Sequence, residues 1–346
     1  MRRTLLRHVR QRVMYVCVLA CVSATALCAS SLEDRRAAIQ RALNFIYATA
    51  SDDANFESYG SDMLWCFYSI AHTSRDRELS QSAARMGNVL ARRWHASHQH
   101  VPADATPEDI YRMVSGAYAA DRLGLPDPRL KAELQGAARR FTAKDFLGFD
   151  AAHEPPRQDD PKRYDIFTDA LIRSYFGDTY GVPLGASYRD VVRWLPRLRP
   201  YTGYDEDMEF DIFYTITHVV YTLNRYHERR VAPALLPQEF QFLRRKLDEA
   251  IANDDPEMVG EGLDCLKAAG FERDPQVIAG MEYLVARQRP NGTWGDADDD
   301  VYTAYHAAWT AIDGLRDYHF KGQVSKLPGT GSRAPGRQST ISMHVR

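Results

Sequence analysis

The chain has 346 residues, 45% of them hydrophobic, and a formal net charge of −2, so it can bury a sizeable core and is not disordered throughout. Acids and bases nearly cancel, leaving no basic excess of the kind that grips nucleic acid, and no nucleic-acid partner is expected.

Taken in order, the first segment stands apart. Arg2, Arg3, Arg7, Arg10 and Arg12 come without an acid, Val13 to Ala29 run without charge, and the run ends in the small residues Ala24, Ala26 and Ala29. A basic start, a short apolar centre and a small-residue exit read as a secretory signal over residues 1–29. The protein is therefore expected to be exported, periplasmic or secreted. The apolar run is shorter than the ~20 residues of a spanning helix. Val18-Leu19-Ala20-Cys21 also reads as a loose lipoprotein box, so membrane contact is expected only through this leader or a lipid anchor. Cys17, Cys21 and Cys28 lie in the leader, leaving Cys66 and Cys265. Neither belongs to a CxxC pair, which argues against a thiolate zinc site and for buried free thiols.

From residue 30 two kinds of segment alternate. Leu32–Thr49, Arg77–Ser97, Arg129–Phe146, Tyr188–Leu198, Pro237–Asn253 and Asp274–Gln288 mix charged and apolar residues at helical spacing, as surface helices do. Between them come less charged segments that open on an acid: Asp62–His72, Asp109–Asp121, Asp165–Phe176, Asp211–Tyr226, Asp255–Ala269 and Asp300–Tyr318. The opening acids recur about every 45 residues, the period of a two-helix repeat. Turn residues such as Gly124-Leu-Pro126, Gly181-Val-Pro183 and Pro290-Asn291-Gly292 separate the units. An all-α fold is expected over residues 30–322, as a closed (α/α)6 toroid of six helical hairpins with the less charged helices inside. A ring, unlike an open stack, gives their polar residues a lumen to face. Residues 323–346, rich in Gly, Ser, Pro and Arg, read as a disordered tail.

The last unit carries the clearest polar pattern. Thr303, His306, Thr310 and Asp313 fall along one face of an otherwise apolar helix. Such a stripe is costly unless it meets a partner, a metal or a cavity.

Gln288 to Gly295, a Gln-x-x-x-Gly-x-Trp-Gly turn followed by Tyr305-His306-Ala307-Ala308-Trp309, resembles the repeat turns and late inner helix of terpenoid cyclases and protein prenyltransferase β subunits. That resemblance implies an α/α toroid, with His306 matching the prenyltransferases' zinc-binding histidine. Their Asp-x-Cys zinc pair has no counterpart, and Asp205-Glu206-Asp207-Met208 only approaches the acid motif of the cyclases. The resemblance thus carries over the architecture and not the activity.

His72, His218 and His306 sit two to three turns into three of the inner segments. Converging in a lumen, they would hold a divalent transition metal, zinc, copper or iron, with an open position for water or substrate. Asp211 and Asp169 are the candidate carboxylate partners and Tyr302 a candidate proton donor, in a metal-dependent hydrolase or oxygenase. Two alternatives stand beside this. Asp169 with Asp211, or Glu209 with Asp300, would serve a glycoside hydrolase or lyase, with Trp65, Tyr204, Trp294, Tyr302 and Trp309 stacking sugars; or the toroid binds without catalysis. The substrate is expected to be a small molecule, a peptide or a glycan. His95, His98 and His100 read as surface residues, and Asp298-Asp299-Asp300 as a solvated acidic turn.

Overall fold

A computed structural model describes residues 32–328; the leader and the tail beyond 328 lie outside them. Among these residues the chain is all-α, with thirteen α-helices: α1 (32–51), α2 (Asp53–Thr73), α3 (Arg77–Ser97), α4 (Pro107–Arg122), α5 (Pro128–Ala138), α6 (Ala143–Leu147), α7 (Arg163–Tyr180), α8 (Tyr188–Val192), α9 (Glu206–Leu223), α10 (Pro237–Ala252), α11 (Pro256–Ala268), α12 (Pro275–Arg287) and α13 (Val301–Leu315). None of the described helices is long and apolar enough to cross a membrane.

The two sequence classes differ in burial. α3 buries one stripe (Leu79, Ala83, Gly87, Leu90, Ala91, Trp94), whereas α9 is buried almost all round from Ile212 to Leu223. The less charged helices pack neighbour to neighbour, α2 on α4, α4 on α7, α7 on α9, α9 on α11 and α11 on α13, and α13 touches α2 again. The charged helices lie against these, α3 on α2 and α4, α10 on α9 and α11, α12 on α11 and α13.

Asp255 and Asp300 are the N-caps of α11 and α13, accepting from Met258 N and Thr303 N, and Asp109 completes a capping box with Thr106 on α4. Asp62 and Asp211 are not helix starts: Asp52 and Asp205 take the caps, so both helices begin earlier and carry the later acid inside. Two expected outer helices are broken. Thr142 caps a new helix and splits Arg129–Phe146 into α5 and α6, while α8 stops at Val192 before a 3-10 turn over Leu195–Arg197.

Residues assigned to the tail begin with structure: Gln323–Val324 pairs in parallel with Arg230–Val231. The segment before it crosses the ends of α2 and α9, with His319 N donating to Thr73 O and Lys321 N to Glu228 O.

Candidate functional site

A cavity of about 160 Å³ lies among α2, α4, α7, α9, α11 and α13, and residues from all six line it. Ring-bearing residues dominate the wall: Trp65, Tyr111, Phe176, Tyr214, Tyr221, Tyr226, Tyr302 and Trp309. The titratable groups between them are Asp62, His218, His227, Glu261, His306 and Asp313, and no Lys or Arg is among the described lining residues. On α13, His306, Thr310 and Asp313 of the polar stripe face the cavity, with Tyr302 and Trp309 on the same side.

At one side of the cavity α11 and α13 come together. A Cβ on Gly260 would stand 2.6 Å from the Thr310 carbonyl carbon, and Gly314 lies against Gly260. Only glycine permits backbones this close. The contact sets Glu257 and Glu261, one helical turn apart on α11, against His306 of α13, and one ligand atom from each of the three falls within 4.8 Å of the others. His306 Nδ1 donates to Glu257 Oε1 at 2.8 Å, and the Thr217 hydroxyl donates to Glu261 Oε2 at 2.8 Å. Burial pushes the Glu261 carboxyl up to about 8, against the lowering charge of His306. For His306 burial pulls the other way, but the hydrogen bond and charge of Glu257 outweigh it and the imidazole titrates above its ordinary range. Tyr302 stacks on His306, with ring centroids 5.2 Å apart.

A second buried cluster, His227, Asp264 and Asp313, lies at the far end of the cavity. It already has its cations. Arg316 Nε bonds Asp313 Oδ1 at 2.6 Å, and Lys267 Nζ, nearby, donates to the Asp313, Gly314 and Arg316 carbonyls. Because Arg316 can only donate, its 3.2 Å contact makes His227 Nδ1 an acceptor, which leaves Nε2–H to donate to Asp264 Oδ2 at 2.5 Å. A cluster so furnished is a structural knot. Its loop adopts three consecutive positive φ values, Arg225, Tyr226 and His227, which aim Tyr226 and His227 at the cavity floor.

Of the residues singled out in the sequence, His218, His306 and Tyr302 line the cavity; His72, Asp169 and Asp211 are not among its lining residues. His72 sits in the last turn of α2, half-buried, donating from Nδ1 to Tyr68 O. His218 makes the same bond to Tyr214 O at 2.8 Å, and burial drops its imidazole to about 4. Neither belongs to the groups of potential ligands that lie within 4.8 Å of one another. Asp169 is exposed on α7 and lies 3.7 Å from Arg173. Asp211 is half-buried, its carboxyl raised by burial and by Asp165. Glu209 is tied to Arg245 and Lys246, and Asp300 is spent as a cap.

Glu257 and Glu261 are not picked out by the sequence patterns, which mark acids only where they open a segment or stand beside a histidine. Two glutamates at i and i+4 flanking Gly260, in a segment with few other charges, are the one signal present. Asp62 opens a less charged segment in the sequence; in the structure it lines the cavity from an exposed position inside α2, where the surrounding wall raises its carboxyl against the lowering charge of His306. Cys66 and Cys265 are buried free thiols. His95 bonds Leu125 O, His98 stacks on Trp94 and His100 pairs with Glu133, so these three have separate partners.

No protein-family model, curated protein or solved structure matches this chain.

Proposed function

We propose that this chain is an exported, divalent-metal-dependent hydrolase whose cation sits on Glu257, Glu261 and His306 at the wall of a toroid lumen. One observation carries the reading: three ligand atoms lie within 4.8 Å of one another, and two of their residues, Glu261 and His306, line a ring-walled cavity. Glu261 is 3% exposed, and among the described residues no Lys or Arg pairs with it. Ionising it there costs several kcal/mol, which the raised carboxyl avoids by holding its proton and which a bound cation would offset. Two carboxylates and one imidazole favour zinc or manganese over copper, and hydrolysis over oxygen chemistry.

A cation held there supplies a Lewis acid and lowers the pKa of a water. The chain's own residues do the rest. Thr217 fixes the orientation of Glu261, Tyr302 holds the plane of His306 by stacking, and Asp62, on the same cavity, is placed to exchange a proton with the reacting group. The rings around them keep bulk water out.

The closed (α/α)6 arrangement is part of this proposal. It is supported by the contact of α13 with α2 and by the outer layer, where Gln288 Nε2 donates to Ala38 O and Arg41 reaches Gln288 Oε1. The Gln-x-x-x-Gly-x-Trp-Gly turn thereby ties the last hairpin to the first, and Trp294 is fully buried with Nε1 bonded to Leu284 O. The likeness to cyclases and prenyltransferases is proposed at this level alone. The cavity wall carries no Lys or Arg to meet a diphosphate, and the basic leader supports export.

Titrating zinc or manganese into the purified, chelator-treated protein tests the proposal. About one equivalent is expected to bind, and binding is expected to disappear in Glu261→Gln and His306→Ala but persist in His72→Ala. No binding to the wild type, or full binding by both cavity variants, would remove the metal. A paired-acid reading would then take its place, moved from Asp169 and Asp211, which do not line the cavity, to Asp62 and Glu261, which do.

A further inference from the structure

The cavity is blind. Trp65 packs against Tyr118, Phe176 and Tyr226 with ring centroids 5.1, 4.5 and 5.0 Å away, and these rings close its inner end. The concavity at the opposite end of the inner helices shares no lining residue with it. Toward the mouth it adjoins a groove of about 750 Å³ along α2 and α4, and Asp62, Tyr111 and Tyr302 line both. The cavity alone is well below the ~300–1,000 Å³ of sites that enclose a whole ligand. It has room for one ring-sized unit, and any further units attached to that one must lie in the groove.

We infer that the substrate is a chain of neutral sugar units, its terminal unit in the cavity and the adjoining units in the groove between α2 and α4. The inference rests on the cavity being the catalytic one. Charge argues for neutrality. No Lys or Arg in the cavity wall awaits an anion, and Arg112, the one Lys or Arg among the groove's described lining residues, is held by Glu108. Asp109 is in its capping box, while Glu57 and Asp62 carry no ion pair among the described residues. The rings argue for sugar. Tyr59 and Tyr302 lie 5.8 Å apart at the junction, and Tyr302 is 39% exposed, offering a platform for the apolar face of a pyranose. A peptide bound by strand addition needs a free strand edge, and the groove walls are helices and the loop around His100 and Pro102.

In the reaction the terminal glycosidic C–O bond breaks and water adds across it, hydroxyl to the anomeric carbon and proton to the leaving oxygen. A blind cavity admits a chain end and no mid-chain unit, so one terminal unit is released per event.

The experiment titrates cello-, xylo-, manno- and chito-oligosaccharides of one to six units, and blocked and free hexapeptides, into the zinc- or manganese-treated protein, following tryptophan fluorescence. One oligosaccharide series is expected to bind at least ~10-fold more tightly at three or more units than at one. Tyr59→Ala and the surface variant Arg112→Ala are expected to erase that length dependence while metal titration stays as in the wild type. Equal affinity for monomer and oligomer, binding of peptides in place of sugars, or no binding across the panel would overturn the inference. The metal titration reads the catalytic proposal separately. Sugar binding without metal binding would sink the metal centre and leave the groove, and metal binding without sugar binding would do the reverse.

Discussion

At the scale of single residues, the cavity shows how burial and partners divide chemically similar groups. His218 and His306 line the same cavity, yet burial drops the first to about 4 while Glu257 lifts the second above its ordinary range. The His218 shift has a consequence for stability. The unfolded chain takes up a proton at this residue as pH falls below 6.5, and the folded chain refuses it until about 4. The contribution is complete above pH 6.5 and is lost on the way down to pH 4, a change of about 3 kcal/mol. Urea unfolding of wild type and His218→Gln at pH 7 and pH 4.5 checks this: the variant is expected to lose less stability across that interval. An equal loss in both would assign the pH dependence to other groups.

At the scale of elements, the α11–α13 contact is what brings together residues from two helices. Gly260 lets Glu257 and Glu261 meet His306. In Gly260→Ala the new Cβ meets backbone at 2.6 Å, which no side-chain adjustment relieves. The helices must part, at a cost of about 1–3 kcal/mol. A lower melting temperature together with weaker zinc or manganese binding is expected. Gly136, inside α5 with nothing within 4 Å of its Cβ position, serves as the control: Gly136→Ala should leave metal binding unchanged and, if anything, raise the melting temperature, since Gly in a helix costs about 0.5–1 kcal/mol relative to Ala. Loss of stability with unchanged metal affinity in Gly260→Ala would separate the helix contact from the site.

At the scale of the molecule, α13, the last of the described helices, is fastened to α2. Arg316, 1% exposed in its side chain, bonds Asp313, donates to Thr73 Oγ1 and Ser74 Oγ on the end of α2, and reaches His227. Arg316→Met removes the charge and keeps most of the volume, leaving Asp313 buried without its cation. A loss of about 3–5 kcal/mol is expected, seen as a lower urea midpoint. Hydrogen exchange should quicken first at the ends of α2 and α13. Protection lost evenly over the chain would argue against a local clasp.

The range of each interaction separates what is legible in the sequence from what is not. The all-helical class and the two kinds of helix are legible, because periodicity, caps and turn residues act within a few neighbours. So are Tyr302, His306 and the polar stripe of α13, since a polar face on an apolar helix shows in one segment. The place of His72 at the end of α2, off the cavity, is not. Depth along a helix depends on where the helix starts, and Asp52, not Asp62, caps it. Nor does any local pattern pair Glu257 and Glu261 with His306. That meeting depends on which helices become neighbours and how closely Gly260 lets them approach, and both are properties of the folded chain.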